Sequence, residues 1–322
     1  MDNFFLQSQQ IDEVIENQNI SSLKKEFKDI SNKYRGEKIN SSSVISNDKQ
    51  ALSYIASRMG ETSTIIYDVL CKLNNVIKLE EQITSVLDLG CGTGSAFWAL
   101  DNFVSKLNIT AVEKQESMIK FAKLLSQPLS CNIEYINQDV NSKIVKQLPS
   151  FSLVIESFML NEMNLQDRIK TLDTMVEKSE NYIILIEPGT PNSYEKMMQD
   201  RDYLLSKGIN LVLPCPHNKK CPIKDDYCNF SVRVNRTKTS RLVKDAKLGY
   251  EDEKYFYLIF SKQNNISAKG SVVLRKPVYR KSVVELKLCN QDCSICKTII
   301  TKNNKEHYLN AKKLKHGDIF KY

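Results

Sequence analysis

No apolar run in this 322-residue chain reaches the eighteen or so residues that a membrane-spanning helix needs, and runs such as 182–186 have the length of a strand. No membrane partner is therefore expected. The first twenty residues carry Asp2, Asp12, Glu13 and Glu16 but neither lysine nor arginine. That composition is wrong for a secretory signal or an arginine-rich organellar presequence. The expected location is the cytoplasm of a bacterium or endosymbiont, with the mitochondrial matrix as the alternative. With no export signal in view, disulfides among the nine cysteines are not expected. No internal repeat is visible, which argues against a solenoid.

What is present is ordinary in bulk and uneven in distribution. Hydrophobic residues make up 41% and charged residues 26%, as in soluble globular proteins. The net charge is +8, yet residues 215–322 hold 24 Lys/Arg against 10 Asp/Glu, a surplus of +14. The rest of the chain holds 22 against 28, a deficit of −6. A basic third with interleaved aromatics attracts polyphosphate, so nucleic acid is the expected partner of that region.

Apolar spacing predicts helices within 48–79, where Leu52, Ile55, Ala56 and Met59, then Ile65, Ile66, Val69 and Leu70, recur at helical intervals. From residue 85 onward, strands alternate with helices. Strands are expected at 85–89, 108–113, 133–137, 151–157, 182–187 and 209–213, and a further strand at 253–262 is expected to pair antiparallel with 209–213. Such alternation implies parallel β-α-β units in a doubly wound α/β sheet. The resulting division is a polar segment 1–47, a helical extension 48–84, an α/β domain 85–262 with an insertion at 214–249, and a small basic β unit 263–322. An insertion of that length needs something to order it.

Two segments carry chemistry. In the first, Asp88-Leu89-Gly90-Cys91-Gly92-Thr93-Gly94-Ser95 follows a strand. Glycine permits a sharp turn and close approach of a ligand to the backbone, and the next helix offers free N–H groups. A dinucleotide fold would want glycine where Ser95 stands. The segment instead resembles motif I of the class I S-adenosylmethionine-dependent methyltransferases. That resemblance implies that Asp88, Gly90, Gly92 and Gly94 hold the methionine end of the cofactor. Glu113 would grip the ribose, Asp139 would contact adenine, and Ser157 would line the pocket. The position after the fourth strand reads Glu156-Ser157-Phe158-Met159-Leu160-Asn161-Glu162, without the Asn/Asp-Pro-Pro-aromatic motif of amino-nucleobase enzymes. No catalytic cysteine stands in the fourth or fifth motif, and no residue is assigned to transfer chemistry.

In the second, Cys215, Cys221 and Cys228 fall within fourteen residues, stiffened by Pro214, Pro216 and Pro222, and Cys289, Cys293 and Cys296 follow. Cys71, Cys91 and Cys131 read as small buried apolar residues. The later six admit three readings: a structural zinc site, for which the close pair Cys293–Cys296 would be half, an iron–sulfur cluster, or free thiols.

The surrounding runs narrow these readings. Glu187-Pro188-Gly189-Thr190-Pro191, Pro214-Cys215-Pro216-His217, Cys221-Pro222, Tyr227-Cys228-Asn229-Phe230-Ser231, Arg233-Val234 and Tyr250-Glu251-Asp252-Glu253-Lys254 are joined by Leu274-Arg275-Lys276-Pro277, Leu288-Cys289 and Gly317-Asp318. Together they resemble the mitochondrial small-ribosomal-subunit methyltransferase-like assembly factors and their bacterial relatives, over roughly 48–320. The resemblance implies a Rossmann-like class I methyltransferase fold, S-adenosylmethionine binding, and a 4Fe–4S cluster on Cys215, Cys221, Cys228 and Cys289, with zinc as the alternative. It also implies a monomer that joins the small ribosomal subunit and its rRNA, with methyl transfer itself left open. Arg233, Arg236, Lys238, Arg241, Arg275, Lys276, Arg280 and Lys281 are the expected RNA contacts.

Overall fold

The computed structural model of the chain describes residues 3–35, 45–263, 266 and 269–321. The expected polar segment 1–47 lies partly outside the described residues. The chain divides into two compact units: residues 1–180 with 232–253, and residues 181–231 with 254–322.

In chain order the elements begin with α1 (Asn3–Ile15), α2 (Ile20–Arg35), α3 (Asp48–Tyr54), a π turn (Ile55–Met59), α4 (Gly60–Asn74) and α5 (Leu79–Gln82). There follow β1 (Ser85–Leu89), α6 (Ser95–Leu100), β2 (Asn108–Glu113), α7 (Glu116–Leu125), β3 (Asn132–Asn137), α8 (Lys143–Gln147), β4 (Phe151–Ser157) and α9 (Leu165–Lys178). The next elements are β5 (Ser179–Pro188), α10 (Pro191–Ser206), β6 (Asn210–Leu213), β7 (Phe230–Asn235), α11 (Lys238–Val243) and β8 (Tyr250–Ser261). The chain ends with β9 (Ser271–Val273), β10 (Val278–Arg280), β11 (Val283–Cys289), β12 (Ile295–Thr301), α12 (Lys305–Ala311) and β13 (Ile319–Phe320).

In the first unit, β1 lies between β2 and β4, β3 pairs with β2, and all three pairings are parallel. Parallel neighbours require crossover helices, and α6, α7 and α8 supply them. Val86, Leu87 and Leu89 of β1, with Leu153, Val154 and Ile155 of β4, are wholly buried, as expected for strands covered on both faces. The N-terminal helices join this unit through an apolar cluster built on Ile11, Ile15, Leu23, Ile55, Met59 and Trp98. The Gln7 amide donates to Ser63 Oγ at 2.6 Å, and Ser63 Oγ donates to the Ser95 carbonyl at 3.0 Å, linking α1 through α4 to α6.

In the second unit, β8 runs antiparallel between β5 and β6, as the sequence led one to expect for 209–213 and 253–262. Helix α10 opens on Pro191, whose fixed φ suits a first turn, with Thr190 Oγ1 accepting from Ser193 N at 3.2 Å. A second sheet gathers β9 to β13 over Val273, Val284, Leu286, Leu288, Ile300 and Phe320. The α/β, doubly wound and mostly parallel expectation holds. Strands β7, β10 and β13 and helices α11 and α12 were not anticipated; most are too short to display a period.

Candidate metal centre and cofactor loop

In the first unit the glycine loop leaves β1 with Gly90 N and Cys91 N both donating to the Val112 carbonyl, at 2.8 and 3.0 Å. Gly90 has φ +75°, and a Cβ there would stand 2.5 Å from Met159 Sδ. The loop is therefore shaped by backbone geometry that a side chain would obstruct. At its base lies Asp88, 1% exposed, with neither carboxylate oxygen hydrogen-bonded. Burial, and secondarily the charge of Glu113, push its carboxyl up to about 8. An unpaired buried carboxylate is costly, and an ammonium group brought to it would remove the cost. Glu113 ends β2 and accepts from Gly92 N at 3.2 Å and from Gln115 N at 2.8 Å. Burial raises its pKa although those N–H groups oppose the shift. Asp139 is exposed and caps its own turn by accepting from Asn141 N at 2.9 Å. Ser157 is half-buried at the end of β4, and the next residue, Phe158, has φ +60°. Glu156, wholly buried, accepts from Met159 N and Leu160 N at 3.4 Å each, so this carboxylate is bonded to the turn itself.

The expected RNA contacts of this unit divide. Lys238 and Arg241 are exposed on α11. Arg233 is exposed, forks onto Asp252 at 2.8 and 3.1 Å, and lies over the Tyr250 ring at 4.2 Å. Arg236 is bonded into the fold instead: it pairs with Glu251 and donates to the Leu248 and Tyr250 carbonyls. Lys244 pairs with Glu61 and Glu251, and Arg58 with Glu61 and Glu253. Among the described residues Glu61, Glu251 and Glu253 form the only triad of acid, thiol or imidazole ligand atoms lying within 4.8 Å of one another. Those carboxylates already have cations.

In the second unit, Cys215, Cys221, Cys228 and Cys289 line one cavity together with Tyr194 and His217. The sequence-expected set thus converges, although Cys289 comes from β11 and the other three from the loop between β6 and β7. Cys228 and Cys289 are buried. Burial raises Cys215 to about 11 and Cys289 to about 12, and it drives Cys228 up as well; neighbouring thiolates add to all three shifts. A bound cation is the kind of group that would offset the raised thiols of Cys215, Cys228 and Cys289. No three of the four sulfurs lie within 4.8 Å of one another. One zinc ion with bonds of about 2.3 Å would draw them closer than that, whereas a multi-iron cluster takes one thiolate at each iron.

The loop is tied down on several sides. Arg201, buried on α10, donates to the His217 and Lys219 carbonyls at 3.2 and 2.7 Å and its charge eases ionisation of Cys215. Tyr194 OH lies 3.3 Å from Cys221 Sγ, and His217 Nε2 lies 3.7 Å from Cys289 Sγ. Cys293 donates to the Lys220 carbonyl at 3.1 Å, and Cys296 Sγ accepts from the Asn290 amide at 3.3 Å. Arg275 donates to Asp226 at 2.5 Å and to the Tyr227 carbonyl at 3.2 Å, so it braces the cysteine loop. Lys276, Arg280 and Lys281 are exposed. Sequence reasoning missed Arg201 and Tyr194. Their signal was a seven-residue spacing that puts an arginine on the buried stripe of α10 with Tyr194 and Met197.

The family described as mitochondrial small ribosomal subunit Rsm22 matches residues 48–321. The chain belongs to the Rsm22 family. Among curated relatives, this Rsm22-family chain is 24% identical to the Rsm22-cox11 tandem protein 2, mitochondrial, of Schizosaccharomyces pombe, over 85% of its own length and 43% of the relative's. It is 25% identical to the human ribosome assembly protein METTL17, mitochondrial, over 74% of its length and 55% of the relative's. The chain thus spans about half the length of these relatives. A solved SAM-dependent methyltransferase from Aquifex aeolicus is similar at TM-score 0.42 and 18% identity, covering 67% of this chain and 98% of that one. The magnesium protoporphyrin IX methyltransferase of Synechocystis is similar at TM-score 0.40 and 11% identity, covering 74% and 97%. In the Rsm22-family chain the parallel order β3-β2-β1-β4 with its crossover helices is that of a Rossmann-like α/β sheet. One expectation is corrected: the curated relatives are mitochondrial proteins, against the expected cytoplasm of a bacterium or endosymbiont. The acidic first twenty residues were too narrow a basis for that location.

Proposed function

We propose that this protein acts in assembly of the mitochondrial small ribosomal subunit, binding its rRNA through a methyltransferase-like scaffold that holds S-adenosylmethionine and a structural 4Fe–4S cluster. The observation that carries this reading is the convergence of Cys215, Cys221, Cys228 and Cys289 on one cavity in an Rsm22-family chain. The cluster, when bound, would supply positive iron to hold the four cysteines of this cavity as thiolates. It would also fix residues 214–229, which carry little apolar surface of their own. The human relative is named as a ribosome assembly protein, which supports the same setting. Anaerobic purification followed by iron, sulfide and zinc analysis tests the centre: iron and sulfide in near-equal amounts are expected, and zinc alone would defeat it. Association with immature small subunits at low salt tests the address, and no association would defeat that part.

A second reading, an active rRNA methyltransferase, is favoured by one feature. Asp88 stands buried and unpartnered beneath a loop that a side chain would block. In this reading Asp88 accepts from the cofactor's ammonium group, Glu113 turns toward the ribose, and Asp139 and Ser157 border the pocket. The scaffold contributes alignment of the methyl group with an RNA acceptor. Loss of a specific rRNA methyl group on deletion of the gene would establish transfer; an unchanged methylation profile would leave a binding factor with a cofactor pocket. The wide spacing of the thiols counts against a zinc-stabilised small-molecule enzyme.

A further inference from the structure

In the second unit, strands β11 and β12 pair with Val283 opposite Thr301, Glu285 opposite Ile299, Lys287 opposite Lys297 and Cys289 opposite Ile295. Strand side chains alternate, so these eight share one face. The other face carries Val284, Leu286, Leu288 and Ile300 into the core. Strand β10 adds Val278 and Arg280 to the first face, opposite Glu285 and Val283. The cysteine cavity lies at one end of this face, at Cys289, and Arg280 stands at the other.

Two features of this face work against the stability of the isolated sheet. Lys287 and Lys297 are direct cross-strand partners, and like charges in that position repel. Lys287 has Asp226 at 3.6 Å, but among the described residues Lys297 has no acidic partner. Beside them Ile299 is 64% exposed and Val278 48% exposed. Lysine is a common guard on an edge strand, but a guard does not account for two large apolar residues left in water next to it. Three cations on this face meet one carboxylate, Glu285, which is engaged by Arg280 at 3.0 Å. A partner that gathers two lysines around one point and offers apolar surface alongside is a polyanion with hydrophobic faces.

We infer that the outward face of β10, β11 and β12 seats a single-stranded segment of RNA, with Lys287 and Lys297 closing on one backbone phosphate and Ile299 and Val278 against the sugars and bases. This rests on the rRNA-binding reading above and names the surface that performs it. It adds Lys287, Lys297 and Ile299 to the RNA contacts and places Arg275 in support of the cysteine loop. Recognition of this kind is tolerant of sequence, because phosphate contacts position without reading bases.

The test uses the full-length protein and a labelled single-stranded fragment of small-subunit rRNA. Lys297→Glu is expected to weaken binding about tenfold or more, and to lower the salt slope by about 1. The same substitution converts a repelling pair into an attracting one, so the melting temperature should rise. A fold defect therefore cannot mimic the result. Lys78→Glu, the same charge change at an exposed position of the other unit, serves as the control and should leave affinity nearly unchanged. If the wild type binds no RNA, both this inference and the rRNA reading fall. If the wild type binds and Lys297→Glu binds equally well, or Lys78→Glu is equally damaging, this inference falls while the reading stands. Loss of binding to an acidic peptide with RNA binding intact would make the face a protein dock and overturn the proposal.

Discussion

The glycine loop of the first unit and the cysteine loop of the second solve the same problem in opposite ways. Each must present chemistry from irregular backbone. The glycine loop is fixed by its own chain: Gly90 N and Cys91 N share the Val112 carbonyl, and Glu113 accepts from Gly92 N and Gln115 N. It is ready before any ligand arrives, and its unmet need is one carboxylate, Asp88. Residues 214–229 contain no helix or strand, and the loop is held by Arg201, Arg275 and contacts among polar groups. Burial and neighbouring thiolates push up the thiols of Cys215, Cys228 and Cys289. In the proposed function, the first site can wait for its cofactor, whereas the second would be incomplete without its metal.

That contrast breaks most sharply on the cysteines. Cys228→Ser should abolish iron and sulfide binding, because it removes one of four thiolates at a buried position. Stability should fall by more than the roughly 1–3 kcal/mol typical of a single substitution, since structural metal binding is itself folding free energy. Hydrogen exchange would show 214–229 losing protection while β1 to β4 keep theirs. Retention of wild-type iron by this variant would remove Cys228 from the ligand set. Cys293→Ser, by comparison, should leave the metal content unchanged.

Next in size is Arg201. Its guanidinium is wholly buried, and its two loop bonds are to main-chain carbonyls. Arg201→Met should cost about 1–3 kcal/mol by leaving those carbonyls without a donor. Arg201→Lys should recover part of that by restoring the charge, though an ammonium lacks the fork that spans both. Urea denaturation of the metal-loaded protein separates the two variants. Equal stabilities for Met and Lys would mean that the charge is not felt at the cysteines.

The two sites also differed in how they could be read from sequence. The glycine loop was legible because its constraints are local: strand, turn and helix follow within eleven residues. The cysteine set was legible only through the family resemblance, since Cys-x₅-Cys and Cys-x₆-Cys fit no single metal's spacing, and Cys289 joins them across sixty residues. Arg236 and Arg275, expected as RNA contacts, are each paired with a carboxylate of the fold. Charge alone does not reveal that Glu251 or Asp226 will fold against them. The pairing of Lys287 with Lys297 depends on register, which the apolar alternation of β11 and β12 permits but does not fix without the turn between them.

At the glycine loop the expected effects are smaller and depend on pH. The folded, unliganded protein keeps Asp88 protonated up to about pH 8, while the unfolded chain ionises it near pH 4. Between those values the native state binds the extra proton, so its stability falls as pH rises and levels off above about 8. Asp88→Asn should flatten this dependence and make the unliganded protein more stable at pH 8. It should also weaken S-adenosylmethionine binding by roughly 1.5–3 kcal/mol, the worth of a hydrogen bond to a charged group. Calorimetric melting between pH 5 and 9, approximately the range of this titration, together with ligand titration, measures both. A variant that binds the cofactor as the wild type does would place the ammonium elsewhere.

The smallest expected effect asks whether the loop's readiness lies in its backbone. Gly90→Ala puts a Cβ 2.5 Å from Met159 Sδ at φ +75°. The left-handed conformation costs an ordinary residue about 1–2 kcal/mol, and the flexible Met159 side chain can move aside to relieve much of the contact. Stability should therefore fall by only about that amount, with the cysteine centre fully metallated. Cofactor affinity should fall further, because the displaced thioether and the new methyl group both border the space beside the loop. Gly90→Ala paired with Met159→Ala decides which matters. Recovery of affinity in the double variant would assign the loss to crowding, and no recovery would assign it to the backbone that glycine alone allows.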